Sequence, residues 1–269
     1  MTLPTPASRV LFFGCGNMGR AMLDGWLAAS VDPHAFVVVD PYAADLPNGV
    51  ELYRNGAQLS QRFDTIILAI KPQMFTELAP SIERLSSPDA LLISVLAGTR
   101  GETLSVAFQG RKIVRLMPNL AAALGLAPLG LWSQDQSKLE SAINTLFAPL
   151  GCPVWIDAEE QMDAVTALAG SGPAFVYRFI DALVQGGVAL GLSHDQATEM
   201  TVNMVRGAAT LTAHSDATPA ELAARVTSPG GTTAAGLAIL DHDNALQTLL
   251  SDTLRAARDR GIELSKPNA

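Results

Sequence analysis

The chain has 269 residues, 48% of them apolar, and its 18 Lys and Arg against 26 Asp and Glu give a formal net charge of -8. That length supports one large domain or two modest ones with a substantial core, and an acidic chain without a Lys/Arg run argues against nucleic acid and anionic membrane as partners, leaving only local patches for small anions. The apolar share is high for so acidic a soluble chain, and a buried subunit contact is one explanation.

The opening stretch MTLPTPASRVLFFGCG lacks the charged-then-apolar order of a signal peptide, and Cys15 and Cys152 follow neither a metal nor a CxxC spacing. The expectation is a cytoplasmic protein in a reducing compartment with no metal site. RVLFFG reads as a first strand, and GCGNMG at 14–19 follows it and opens the helical segment NMGRAMLDGWLAAS. Strand, GxGxxG and helix in that order form a dinucleotide-binding fingerprint. Gly14 allows the tight turn, Gly16 lets the backbone approach a pyrophosphate, and Gly19 lets helix and strand pack closely. Oriented N–H groups of the helix N-terminus add partial positive charge. Gly14, Cys15, Gly16, Asn17, Met18 and Gly19 are therefore candidate cofactor ligands.

The second strand, AFVVVD, ends at Asp40, 24 residues beyond Gly16. There an acidic side chain accepts hydrogen bonds from an adenosine ribose, whereas a 2'-phosphate would meet like charge. No Arg or Lys follows within PYAADLP to neutralise it, so this position favours NADH over NADPH. The alternative is a turn or N-cap Asp before Pro41. TIILAI leads into AIKPQ at 69–73, where Ala69, Lys71 and Pro72 stand at the carboxyl edge of a doubly wound sheet. Lys71 either faces a phosphate or ribose or is a solvated loop lysine. LLISVL ends in VLAGT at 95–99, with Ala97 and Gly98 placed to let backbone approach the nicotinamide. KIVRLM is the next strand. The apolar window 116–132 is broken by Pro118, Asn119 and Pro128, short of the ~20 residues of a membrane helix. VWI closes the strand series. Apolar runs alternating with helical segments define a parallel α/β sheet of the Rossmann type, assigned to residues 1–158.

From Glu160 onward every stretch has helical spacing, so residues 159–269 are expected to be all helix. Ser193 and Thr218, the latter before Pro219 and Glu221, resemble N-caps. Gly186, Gly187, Gly191 and Gly207 either allow close helix crossing or act as C-caps. Within this half, VTSPGGTTAAGL at 226–237 sets a glycine pair among hydroxyls, the pattern of a backbone anion nest or of an ordinary turn. No lysine occurs between Lys138 and Lys266. Hydroxyacid dehydrogenases of this two-part layout use a helical lysine as general acid, so a carbonyl-reducing reading lacks its key group. His194, His214 and His242 lie near helix ends in hydrophilic stretches, as solvated or capping residues do.

Taken together, GCGNMG, AIKPQ, VLAGT, RLMPN, LAGSGPAFVYRFIDAL and VTSPGGTTAAGLAIL resemble the pyrroline-5-carboxylate reductase family over nearly the whole chain. The resemblance implies a Rossmann domain followed by an all-α dimerisation domain with interlocked subunits. It also implies NAD(P)H reduction of 1-pyrroline-5-carboxylate to L-proline in a dimer or ring of dimers, with each active site shared between subunits. Carried onto matching positions, backbone N–H groups of Gly230, Gly231, Thr232 and Thr233, with the Ser228 hydroxyl, would hold the substrate carboxylate. Thr233 would hydrogen-bond the ring nitrogen and is the catalytic candidate. Asn119 of RLMPN would line the nicotinamide side, and Asn55 is the nearest match, one position displaced, for an asparagine that touches the adenosine ribose. Members that bind the 2'-phosphate commonly carry Ser, Asn or Thr at the end of the second strand, where this chain has Asp40. MPNLAA replaces the usual MPNTPA, and Ala223 and Ala224 replace a Lys-Asp pair before VTSPGG. Two further readings stand beside this one: a reductase of a related cyclic imine acid, and a nucleotide-binding regulator without turnover.

Overall fold

A computed structural model describes residues 3–265; residues 1–2 and 266–269, Lys266 among them, lie outside the described residues. Contacts divide the chain into two compact units, Met1–Gly170 with Ala257–Ala269, and Ser171–Ala256.

The first unit alternates strands and helices: β1 (Val10–Phe13), α1 (Asn17–Ala28), β2 (Phe36–Val39), β3 (Glu51–Tyr53), β4 (Phe63–Leu68), α2 (Phe75–Leu85), β5 (Ser86–Ser94), α3 (Gly101–Ala107), β6 (Lys112–Met117), β7 (Ala127–Trp132), α4 (Gln136–Phe147) and β8 (Gly151–Trp155). The eight strands form one sheet in the order β3-β2-β1-β4-β5-β6-β7-β8. Every pairing is parallel except β6 with β7. Two of these strands were not expected. β3 has only three residues, Glu-Leu-Tyr, too few to show a period, and β7 lies in the window 116–132 and contains Pro128 as its second residue. α5 (Met162–Val165) then runs into a single π-helical turn, Thr166–Gly170.

Both faces of the sheet are covered, so the central strands are continuously apolar: all four residues of β1 and all four of β2 are buried. Alternate side chains of β1 feed two cores. Phe12 points to the α1 side with Trp26, Phe36 and Phe147, while Leu11 and Phe13 join Ile66, Leu68, Phe75 and Phe108 on the other. Trp26 is fully buried, and its indole N–H donates to the Leu146 carbonyl (2.8 Å), so its one polar atom is satisfied. Behind it, α1 touches the 3-10 turn Leu120–Leu124 at backbone distance. A Cβ on Gly25 would strike the Ala122 carbonyl oxygen and stand 2.7 Å from Leu150 Cδ2.

The second unit is helical: α6 (Gly172–Ala189), α7 (His194–Ala213), α8 (Pro219–Arg225), α9 (Thr232–Leu240) and α10 (Ala245–Ser265), whose residues beyond Ala256 count with the first unit. Ser193 and Thr218 cap as their sequence context predicts. Each hydroxyl accepts from the N–H three residues on, and Gln196 and Glu221 reach back to the cap N–H groups at 3.0 and 2.7 Å. Such a box contributes about 1 kcal/mol. The helical glycines divide between the two roles left open for them. Gly187 packs against Ala197, 3.2 Å from where its Cβ would be, so it serves the α6–α7 crossing. Gly191, at φ +103°, follows the end of α6 in the left-handed region. Gly186 and Gly207 meet nothing within 4 Å in the single chain. His194 opens α7, His214 caps its C-terminus with Nδ1 2.9 Å from the Thr210 carbonyl, and His242 starts the turn before α10.

Candidate dinucleotide groove and anion loop

The glycine turn sits where the strand order reverses between β1 and β4, at the carboxyl edge of the sheet. Gly14 is held there by its N–H donating to the Val39 carbonyl (2.9 Å), and its φ of +87° strains any residue with a side chain. A Cβ on Gly14 would collide with the Ala69 carbonyl oxygen and stand 2.8 Å from the Ala69 carbonyl carbon. The protein itself therefore demands this glycine. Gly19 is tight for the same reason: its Cβ would lie 3.0 Å from the Gly14 carbonyl oxygen and 3.3 Å from Ala69 Cβ. Gly16 differs, because a Cβ there would meet nothing within 4 Å and its φ is an unremarkable -67°. Nothing inside the chain requires glycine at that position, and the space beside it is open to the groove.

The helix behind it is prepared for an anion. α1 has no side-chain cap and no acidic residue in its first turn, and the first bond into it runs from the Arg20 N–H to the Gly16 carbonyl (2.8 Å). The N–H groups of Asn17, Met18 and Gly19 are left as donors. The adjoining groove encloses about 780 Å³ and is lined by Gly14, Cys15, Gly16, Asp40, Tyr42, Arg54, Asn55, Ala69, Ile70, Lys71, Met74 and Leu78 among others. Space, free amides and a glycine open to one side fit a dinucleotide.

Asp40 does more than mark the end of β2. One carboxylate oxygen accepts the Cys15 N–H (2.7 Å), and the other accepts the N–H groups of Tyr42 (2.7 Å) and Ala43 (3.0 Å). The side chain thus ties the glycine loop to the turn beyond Pro41, so the turn role left open for it is part of what it does. A carboxylate has about four lone-pair sites, and one is left for a ribose hydroxyl. Burial, then the Asp40 charge, push the Cys15 thiol up to about 11, so it stays neutral and packs rather than reacts. Lys71 is exposed at the groove mouth, with no carboxylate within bridging distance among the described residues, and Pro72 begins the short turn that follows it.

The remaining cofactor candidates lie elsewhere in this unit. Asn55 Oδ1 accepts the Ala57 N–H (3.0 Å), making it the cap of a short turn at the groove edge. Ala97 and Gly98, the latter at φ +72°, form the Leu96–Thr99 turn after β5 and are not among the groove lining. Met18 packs on the α1-side core. Asn119 is buried and committed on both sides of its amide: Oδ1 accepts the Ala121 N–H (2.9 Å), and Nδ2 donates to the Ala169 carbonyl of the π turn (3.0 Å). Tyr42, Arg54, Met74 and Leu78 also line the groove but follow no motif, and only the fold brings them there; Ile70, within AIKPQ, joins them. A second depression, of about 750 Å³, is lined by Glu102, Asp157, Glu159 and Glu160 with Arg100; Glu159 is paired with Arg115 (2.8 Å), and the remaining carboxylates still outnumber Arg100, a charge set that disfavours a nucleotide.

In the second unit, Ser228–Gly231 forms a turn closed by the Gly231 N–H donating to the Ser228 carbonyl (3.0 Å), with Gly230 at φ +71°. A side chain on Gly231 would meet the Ser228 hydroxyl in its present rotamer and stand 3.2 Å from the Ser228 carbonyl oxygen, so the turn is tight at the second glycine. α9 begins at Thr232 with no side-chain cap, and its first bond is Ala235 N–H to the Gly231 carbonyl (3.1 Å). The amides of Gly230, Thr232 and Thr233 therefore remain as donors, while that of Gly231 is spent on the turn.

The glycine cradle at the switch point of a parallel sheet, followed by a helical unit with an uncapped SPGGTT loop, defines a Rossmann-type dinucleotide-dependent protein. Residues 9–98 match the family model described as NADP oxidoreductase, coenzyme F420-dependent, and residues 159–264 match pyrroline-5-carboxylate reductase dimerisation. The chain is 33% identical over 267 residues to the pyrroline-5-carboxylate reductase of Pseudomonas aeruginosa, covering 96% of this chain and 97% of that one. It superposes on the enzyme of that name from Coxiella burnetii with a TM-score of 0.87 at 28% identity, over 97% of this chain and 99% of that one. With the NADP-bound pyrroline carboxylate reductase of Plasmodium falciparum the TM-score is 0.84 at 27% identity, over 97% and 100%. The chain belongs to the pyrroline-5-carboxylate reductase family.

It is accordingly an oxidoreductase that uses a nicotinamide cofactor and acts on a small molecule as a homo-oligomer. The helical unit is built for self-association: in the single chain it leaves Val176, Tyr177, Phe179, Met200, Met204, Leu211 and Leu249 exposed. Among the described residues no helix is long and apolar enough to cross a membrane.

Proposed function

We propose that this chain reduces 1-pyrroline-5-carboxylate to L-proline with NAD(P)H, the last step of proline synthesis, with NADH preferred. The observation that carries the reading is the pairing of a dinucleotide cradle with an uncapped SPGGTT loop in a member of this family. Residues 1–158 serve the nucleotide, and 159–269 serve substrate and assembly as a dimer or ring of dimers. A reducing, cytoplasmic setting fits two free cysteines.

When bound, the reduced nicotinamide supplies a hydride. The substrate is a cyclic imine whose carbon, once the nitrogen is protonated, accepts that hydride, and the C=N electron pair passes to nitrogen. The protein's part is orientation and exclusion of water rather than proton donation. The amides of Gly230, Thr232 and Thr233, with the Ser228 hydroxyl, hold the carboxylate. They do so with fixed dipoles and without a lysine that would repel the iminium. The Thr233 hydroxyl orients the ring nitrogen. In the nucleotide unit, Gly14 to Gly19 receive the pyrophosphate, and Asp40 and Asn55 receive the ribose. Ala69, Lys71 and Pro72 border the groove, and Ala97, Gly98 and Asn119 serve the nicotinamide side.

Steady-state kinetics with both nucleotides test the preference. The expected result is a lower KM for NADH than for NADPH, with Asp40→Ser narrowing the gap. Equal or better use of NADPH by the native protein overturns it.

A further inference from the structure

Asp40 is not the only charged group at the ribose end of the groove. No cation follows it in PYAADLP, yet the sheet supplies one from the next strand. β3 pairs with β2 in parallel, Val39 beside Tyr53, and the Asp40 N–H donates to the Tyr53 carbonyl (3.0 Å). Arg54 therefore leaves β3 at the same carboxyl edge that Asp40 occupies on β2, and both line the groove.

Its position is held at both ends. The Arg54 N–H donates to Gln58 Oε1 (2.7 Å), and Nη1 donates to the carbonyls of Ala43 (2.6 Å) and Pro41 (3.3 Å), which belong to the turn that Asp40 organises. The guanidinium is thus parked over that turn. Nη1 is consumed, but Nη2 and Nε have no partner among the described residues, and no carboxylate neutralises the charge. The neighbouring Arg20 contrasts with it: Nε sits on Asp24 (2.7 Å) and Nη1 on the Asp45 carbonyl (3.0 Å), so its charge is already countered.

We propose that Arg54 is a specificity-determining residue that receives the 2'-phosphate of NADPH. A planar guanidinium with two free N–H edges suits a phosphate, and an arginine beside the ribose is how this fold accommodates that group. Asp40 repels the phosphate and Arg54 attracts it, so the native preference for NADH is narrower than Asp40 alone would set. This rests on the nicotinamide-nucleotide reading of the groove.

The test is direct binding of NADH and NADPH to the native protein, Arg54→Gln and Arg54→Lys, by isothermal titration calorimetry, with thermal melts to confirm folding. Gln keeps an amide donor for the turn carbonyls and removes the charge. The expected result is a Kd for NADPH about 10-fold or more higher in Arg54→Gln, with NADH changed by less than about 3-fold; one well-formed charged pair is of that size. Arg54→Lys keeps the charge without the fork and loses less NADPH affinity. Salt weakens NADPH binding more steeply in the native protein than in Arg54→Gln. Equal weakening of both nucleotides reduces Arg54 to a brace for the turn and overturns the proposal, as does an unchanged NADPH Kd. Failure of the native protein to bind either nucleotide overturns the groove reading itself.

Discussion

Gly14 and Gly16 are two residues apart in one motif, yet the structure assigns them opposite burdens, and alanine substitutions separate them. In Gly14→Ala the new methyl must adopt φ +87° and intrude on the Ala69 carbonyl. The left-handed conformation costs a non-glycine residue about 1–2 kcal/mol, and overpacking adds about 1–3 kcal/mol. The expected loss of about 2–5 kcal/mol lowers Tm by roughly 4–20 °C at the 2–4 °C per kcal/mol usual for a chain of this size. In Gly16→Ala the methyl enters open space at an allowed φ. Reduced chain entropy in the unfolded state and a poorer N-cap nearly cancel, leaving stability within about 0.5 kcal/mol. The same methyl occupies the face on which a pyrophosphate lies, so Kd for NADH rises by about 10-fold or more. Thermal melts and calorimetric titration of both variants decide the matter. A Gly16→Ala protein that binds NADH as well as the native one refutes the argument that an external ligand demands this glycine. A Gly14→Ala protein of native stability refutes the geometry.

Thr233→Ala lowers kcat by about 10- to 1000-fold through lost orientation, and an unchanged rate removes Thr233 from the mechanism. Asn119→Ala loses the cap on Leu120–Leu124 and the bond to the Ala169 carbonyl; at about 1 kcal/mol each, urea unfolding shows a loss of about 2 kcal/mol, and a change below about 0.5 kcal/mol contradicts the clamp role. Iodoacetamide at pH 8 labels the exposed Cys152 and spares Cys15 until the protein unfolds; prompt double labelling of folded protein contradicts the buried, neutral thiol. Because the folded-state value of Cys15 is raised from 9.0 to about 11, its share of stability is complete below pH 9 and is lost as pH climbs through 11. A pH titration of urea unfolding shows that decline in the native protein, and less of it in Cys15→Ala.

The sheet was legible where strands are long and buried on both faces, since VLFF and FVVV are unbroken apolar runs with nothing else to be. β3 was not, because three residues carry no period, and β7 was not, because Pro128 reads as a break until Leu129 and Leu131 are seen in the core. The same limit hid Arg54, which enters the groove only through the β2–β3 pairing. The tight turn at Gly14 and the close helix–strand packing at Gly19 could be read from motif spacing alone, because both act through the backbone. Asn119 and Asp40 could not be read fully, because each spends its side chain on partners fixed by the fold: Ala169 is 50 residues away and Cys15 is 25. In the SPGGTT loop the pattern announced donors, but only the turn geometry shows that the Gly231 amide is already used.

The most direct test of the central claim is a progress curve with purified protein, NADH and 1-pyrroline-5-carboxylate, following NADH loss and proline together, with the six-membered imine acid run in parallel. The account predicts one proline formed for each NADH consumed and a higher kcat/KM on the five-membered ring. NADH binding without proline formation, or faster turnover of the six-membered ring, contradicts it.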